Sequence, residues 1–158
     1  MIEPIADNII EKISQAAQLY YRLVLLAGPT GAGKTAALQM VHERTKAPLI
    51  NVNLELSKRM LELTERQRVL QLPRLLAEIV SASASDVVLL DNIEVLFAIA
   101  LQQDPLRLLQ GLSRNTTIVA AWNGTIDKEH LSYATPDHPE YRRYPIKDFV
   151  LVSLNSIA

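Results

Sequence analysis

One stretch constrains this chain more than any other. Gly28-Pro29-Thr30-Gly31-Ala32-Gly33-Lys34-Thr35 has the form G-x-x-x-x-G-K-T. It follows an apolar run, Leu23-Val24-Leu25-Leu26-Ala27, and leads into a helix-friendly one, Ala36 to Glu43. Strand, glycine-rich loop and helix in that order form a cradle for phosphate. The glycines let the backbone curl until several N–H groups converge on one oxyanion. The helix that follows adds the positive end of its dipole. In such a loop Lys34 neutralises the β- and γ-phosphates, and the Thr35 hydroxyl is a ligand for Mg²⁺. Gly28 to Thr35 are therefore read as the binding loop for a nucleoside triphosphate with Mg²⁺.

The rest of the chain must supply a fold around that loop. With 158 residues there is room for one domain with a substantial core, so residues 1–158 are read as a single unit. Within it, residues 1–22 form an N-terminal helical segment and 23–158 the nucleotide-binding core. Ile5, Ile9, Ile10, Ile13, Ala17 and Tyr20 recur at helical spacing and predict a helix over 5–21. Apolar runs predict strands at about 23–27, 48–53, 85–92, 116–122 and 148–154. Between them, 57–84 reads as a helical block broken or kinked at Pro73. Asp104-Pro105 opens another helix, to about Leu112, and 127–133 carries a short helical signal. Alternating strands and helices predict an α/β architecture with a parallel sheet, whose ligands bind at the C-terminal strand ends.

Charge and composition narrow the function. The net charge of −1 provides no global field for nucleic acid, so DNA contact is expected to be indirect or confined to a patch such as 58–74. The arginines and lysines there alternate with glutamates, the pattern of a solvated helix face. The chain has no cysteine, which excludes disulfides and zinc–thiolate sites and fits a cytoplasmic protein. No apolar run approaches the length of a membrane span, and the N-terminus does not read as a leader.

Three further places carry chemistry. Val87 to Leu90 deliver Asp91 to a strand end, followed by Asn92, Ile93 and Glu94. Asn92 can orient a water but cannot take its proton. Glu94 either swings toward a γ-phosphate or caps the next segment. Asn123, after the sole tryptophan, either faces the γ-phosphate or belongs to an Asn-Gly turn. Arg142-Arg143, just before the last strand, are either functional cations or solvated partners of Glu140. Arg114 is a further cation near a strand start.

Taken in order, these elements resemble the nucleotide-binding core of AAA+ and related P-loop ATPases. The resemblance implies a three-layer fold with a five-stranded parallel sheet of order 5-1-4-3-2. It implies that Asp91 joins Thr35 at the metal and that Asn123 senses the γ-phosphate. It also implies that an arginine, Arg142 or Arg143, reaches the nucleotide of a neighbouring subunit, and hence a homo-oligomer with shared sites. Such proteins continue into a helical lid, whereas this sequence stops at Ala158. The Trp122-Asn123-Gly124 tip and the Leu131 to Tyr141 stretch are also similar to the small P-loop proteins of type 3 bacteriophage-exclusion (BREX) systems, which implies other defence-system proteins as partners.

The residues thus support an ATP-binding, Mg²⁺-dependent ATPase, in which Lys34, Asp91, Glu94, Asn123, Arg142 and Arg143 serve catalysis. Alternatives are a nucleotide-dependent assembly module with little hydrolysis and a small-molecule kinase. If an arginine acts in trans, the ATPase rate per subunit rises with protein concentration. A flat profile in a strictly monomeric sample contradicts the trans arginine.

Overall fold

Leu23–Gly28 forms β1, and all six of its residues are buried. A strand with no polar face can sit only inside a sheet covered on both sides. The computed structural model describes residues 2–154, apart from the side chain of Ile2. The expected domain limits at residues 1 and 158 lie outside the described residues. In it β1 is paired in parallel with β4 (Thr117–Asn123) on one side and β8 (Val150–Ser153) on the other. β3 (Val87–Asp91) pairs with β4, and β2 (Leu49–Asn51) with β3, also in parallel. The order β2-β3-β4-β1-β8 is the expected 5-1-4-3-2 sheet read from its other edge.

Alternation along the strands divides the core. Leu23, Leu25 and Ala27 join Leu90, Ile118 and Trp122 on one face. Val24 and Leu26 join Leu89, Val119 and Ala121 on the other. The second face is covered by α1 (Ile2–Ala16) and α2 (Lys34–Thr45) through Ala6, Ile9, Leu38 and Val41. The first is covered by α3 (Val52–Met60), α4 (Glu65–Ser81) and α5 (Pro105–Leu112) through Leu56, Leu72, Leu76 and Leu109. This is the three-layer α/β arrangement. Among the described residues β8 is the last element.

Several local expectations are corrected. The first helix ends at Ala16 rather than at 21. The apolar spacing beyond it belongs to surface residues, and Tyr20 is 63% exposed under the Arg114 guanidinium. The second strand stops at Asn51, whose side chain accepts the Leu54 N–H (3.1 Å) and so starts α3 five residues before the predicted block. The break in that block falls before Thr64, not at Pro73. Thr64 and Gln67 form a reciprocal capping box that starts a new helix.

Pro73 sits within α4. A proline inside a helix leaves the carbonyl four residues earlier without its amide donor. Here the Gln103 side chain supplies the missing bond, its Nε2 donating to the Val69 carbonyl at 2.9 Å. A tertiary contact therefore keeps the helix running where local rules would end it.

The helical signal at 127–133 is also overturned. Ile126–Asp127 (β5), His130–Tyr133 (β6) and Arg142–Pro145 (β7) form a separate antiparallel sheet. Leu131 and Tyr133 are buried while His130 and Ser132 are less so, which is a period of two. The turn between β5 and β6 uses Lys128 at φ 57°, a residue type that does not advertise a left-handed turn.

Removing the Gln103 amide orphans the Val69 carbonyl. Gln103→Ala is expected to lower unfolding free energy by about 1 kcal/mol in a denaturant titration. An unchanged midpoint would show that the helix tolerates Pro73 unaided.

Candidate functional site

The loop between β1 and α2 curls because Gly31 and Gly33 adopt φ of 86° and 99°, where a side chain is strained. α2 begins at Lys34, so the N–H groups of its first turn have no acceptor within the helix. They open onto a cavity of about 380 Å³ lined by the loop, by Asp91, Asn92 and Glu94, and by Ala121 and Asn123. The sheet makes this possible. β4 lies between β1 and β3, so the ends of all three strands meet at one place.

Lys34 is 7% exposed, and its Nζ donates to the carbonyls of Gly28 (2.8 Å) and Pro29 (2.7 Å). Burial pushes its pKa down, opposed by the carboxylates of Glu94 and Asp91. The Thr35 hydroxyl donates to Asp91 Oδ2 at 2.7 Å, and the Asn92 N–H donates to Asp91 Oδ1 at 2.9 Å. Each carboxylate oxygen of Asp91 thus accepts its own hydrogen bond. Asn92 has φ 55°, a left-handed conformation that asparagine tolerates, and its carbonyl accepts the Asn53 N–H at 3.1 Å.

That turn starts a short 3₁₀ helix, Ile93–Phe97, whose Ile93, Leu96 and Phe97 are buried. Glu94 is carried on its first turn and faces the cavity. Burial raises its carboxyl pKa above the ordinary carboxylate value, and the Asp91 charge adds to the rise. A backbone hydrogen bond and Lys34 act against it. Asn123 ends β4 opposite Gly28 and also lines the cavity.

The arginines stand elsewhere. Arg142 donates to the Gln103 carbonyl at 2.8 Å, and neither it nor Arg143 lines the cavity. Arg143 is exposed on the outer side of β7, opposite Ser132. Arg114 stacks on Tyr20 with 3.8 Å to the ring centre.

What the residue reading missed is the aromatic cluster behind the site. Phe97 stacks on Tyr133 with ring centres 3.5 Å apart, and both meet Trp122 edge-on. The sequence signal for it is the polar–apolar alternation of His130, Leu131, Ser132 and Tyr133, which has the period of a strand and not of a helix.

The donor set suits a divalent cation bound with phosphate. Thr35 Oγ1 and Asp91 Oδ2 are hard oxygens in contact, and Mg²⁺ takes few protein ligands and keeps waters and phosphate oxygens. Among the described residues no cluster of three or more His, Cys, Asp or Glu offers a self-sufficient metal site.

The sequence model of the ATPase family associated with various cellular activities (AAA) matches residues 24–129. The chain belongs to this family. The match takes in the loop, Asp91, Glu94 and Asn123, and it supports a nucleotide-binding ATPase domain of the AAA type. No curated protein matches the chain. Among solved structures it is similar to C. elegans PCH-2, at 20% identity over 80% of this chain and 39% of that one, with a TM-score of 0.45. It is also similar to a chain in the structure of Drosophila ORC bound to DNA, at 18% identity over 96% and 42%, with a TM-score of 0.47. The chain thus spans about two fifths of the length of these two chains. No helix of the described residues is long and apolar enough to cross a membrane.

The raised pKa of Glu94 fixes the sign of a pH effect. A carboxyl that binds its proton more tightly folded than unfolded stabilises the fold fully below its unfolded pKa, and that stability is lost as pH rises through its folded pKa. Glu94→Gln removes the titration. The variant is expected to melt at or above the wild-type temperature at pH 7–8, with the gain shrinking as pH falls through the raised Glu94 value to the ordinary carboxylate one. A gain that grows at low pH contradicts the assignment.

Proposed function

We propose that this AAA-family protein is an ATP-binding, Mg²⁺-dependent ATPase acting as a switch or motor subunit of a multi-protein anti-phage defence system. The observation that carries the ATPase reading is the convergence of Lys34, the bonded Thr35–Asp91 pair and the Glu94 carboxyl on one cavity. The defence role rests on the likeness of Trp122–Gly124 and Leu131–Tyr141 to the small P-loop proteins of type 3 bacteriophage-exclusion systems. A cytoplasmic setting, other defence proteins as partners and an indirect relation to DNA belong to the same reading.

In this reading the loop amides and Lys34 bind the triphosphate of ATP. Lys34 exchanges the Gly28 and Pro29 carbonyls for β- and γ-phosphate oxygens. Thr35 and Asp91 hold Mg²⁺, which when bound supplies positive charge to the phosphate oxygens. Glu94 takes the proton of the attacking water, a role that suits a carboxyl whose pKa is raised. The water oxygen bonds to the γ-phosphorus, the bond from that phosphorus to the bridging oxygen breaks, and ADP and phosphate leave. Asn123 orients the γ-phosphate or the water. Arg143 is the better placed of the two arginines to reach a neighbouring subunit, since Arg142 is tied to Gln103 within its own chain.

A second reading is favoured by two observations. An amide, Asn92, follows Asp91 directly, and Lys34 is satisfied by its own loop. A module that loads ATP to control assembly, and hardly hydrolyses it, would show both.

Two variants separate these readings. Lys34→Ala is expected to abolish ATP binding in equilibrium titration. Glu94→Gln is expected to keep ATP affinity while kcat falls by about 10²-fold or more. Unchanged turnover in Glu94→Gln removes Glu94 as the base. Wild-type protein that binds ATP without turnover, even with its partners present, establishes the assembly module.

A further inference from the structure

The 3₁₀ turn that carries Glu94 is short, and its buried anchors are Ile93, Leu96 and Phe97. Phe97 is held from outside the parallel sheet. Its ring lies flat on Tyr133 of β6, with centres 3.5 Å apart and planes 8° from parallel. Trp122 closes the pair edge-on, at 5.1 Å from Phe97 and 6.1 Å from Tyr133. The residue after Trp122 is Asn123, which shares the cavity with Glu94.

The sheet that presents Tyr133 is itself fixed. Trp122 Nε1 donates to the Ser132 carbonyl at 3.0 Å. That carbonyl comes so close to Gly124 that a Cβ there would sit 1.7 Å from it. On the other strand the Tyr144 hydroxyl donates to Asp104 Oδ1 at 3.0 Å, and Arg142 donates to the Gln103 carbonyl at 2.8 Å. Tyr133 is therefore a buried, stacked ring on a hydrogen-bonded support, and the AAA match ends at residue 129, before it.

We propose that Tyr133 is a positioning residue for turnover: its ring, stacked on Phe97, fixes the 93–97 turn and so aims the Glu94 carboxyl into the nucleotide cavity. The small antiparallel sheet then serves the chemistry of the parallel one. The inference rests on Glu94 acting in hydrolysis. The Tyr133 phenol is pushed up to about 12 by burial and by the charges of Glu94 and Glu140, so it stays protonated and its contribution is its ring. A misplacement of about 1 Å in a catalytic group can cost on the order of 10²-fold in rate, so a stack that holds the turn is enough to matter.

The test compares Tyr133→Phe, which keeps the stack, with Tyr133→Leu, which removes it. Each is made in the wild type and in Glu94→Gln, and kcat, KM and ATP affinity are measured for all. Tyr133→Phe is expected to stay within about twofold of wild type. Tyr133→Leu is expected to lower kcat by about tenfold or more at unchanged ATP affinity. In the Glu94→Gln background Tyr133→Leu is expected to have no further effect on kcat. A loss of kcat that persists there, or a parallel loss of kcat, ATP affinity and melting temperature, overturns the positioning role. If Glu94→Gln alone leaves kcat unchanged, the Glu94 reading has failed instead. Trp122, the single tryptophan, gives a readout that needs no turnover. The emission change on binding a non-hydrolysable ATP analogue with Mg²⁺ is expected in wild type and Tyr133→Phe and absent in Tyr133→Leu at equal occupancy. The same change in all three proteins overturns the proposal.

Discussion

The 2.7 Å hydrogen bond from Thr35 to Asp91 joins two parts of the chain 56 residues apart. It exists only because β1 and β3 are parallel neighbours of β4, so that their C-terminal ends lie side by side. A slip of one residue in the β3–β4 pairing would turn Asp91 to the other side of the sheet. The buried, alternating strand residues that fix the register are thus also what builds the site.

The site concentrates charge in a partly dry place and balances it incompletely. Burial disfavours the ammonium of Lys34 and the carboxylate of Glu94, while each group favours the charge of the other. Lys34 reaches only neutral carbonyls, so its charge lacks a close anionic partner. The loop amides at the start of α2 add positive potential to the same cavity. In the proposed reading an oligophosphate answers the Lys34 charge and the loop amides together, and the Thr35–Asp91 pair holds the cation that accompanies it.

The parts of this arrangement that were legible in the sequence are those set by local pattern over a long enough window. The G-x-x-x-x-G-K-T loop between strand and helix, the apolar run ending in Asp91, and the sheet order all read correctly, since buried parallel strands and the loop have few alternatives. Lys34, Thr35, Asp91, Glu94 and Asn123, picked out separately along the sequence, line one cavity. Some failures are local caps passed over, Asn51 at the start of α3 and the Thr64–Gln67 box at the start of α4; others come from tertiary contacts that override local rules. Pro73 does not break α4 since Gln103, 30 residues later, bonds the carbonyl that the proline strands. The 127–133 segment is a hairpin although its turn residues, Lys128 and Glu129, favour helices. Its pairing with β7 and the Tyr133–Phe97 stack decide the matter. Arg142 looked as available as Arg143, and only the structure shows it tied to Gln103.

In the proposed reading one cavity binds Mg²⁺-ATP and aims Glu94 at its terminal phosphate. A crystal structure of the protein with Mg²⁺ and a non-hydrolysable ATP analogue tests it most directly. Lys34 Nζ is expected to leave the Gly28 and Pro29 carbonyls for the phosphates, the metal to contact Thr35 with Asp91 beside it, and the Glu94 carboxyl to face the γ-phosphate. A structure in which Lys34 keeps both carbonyls, or in which Glu94 points away to cap its own turn, would contradict it.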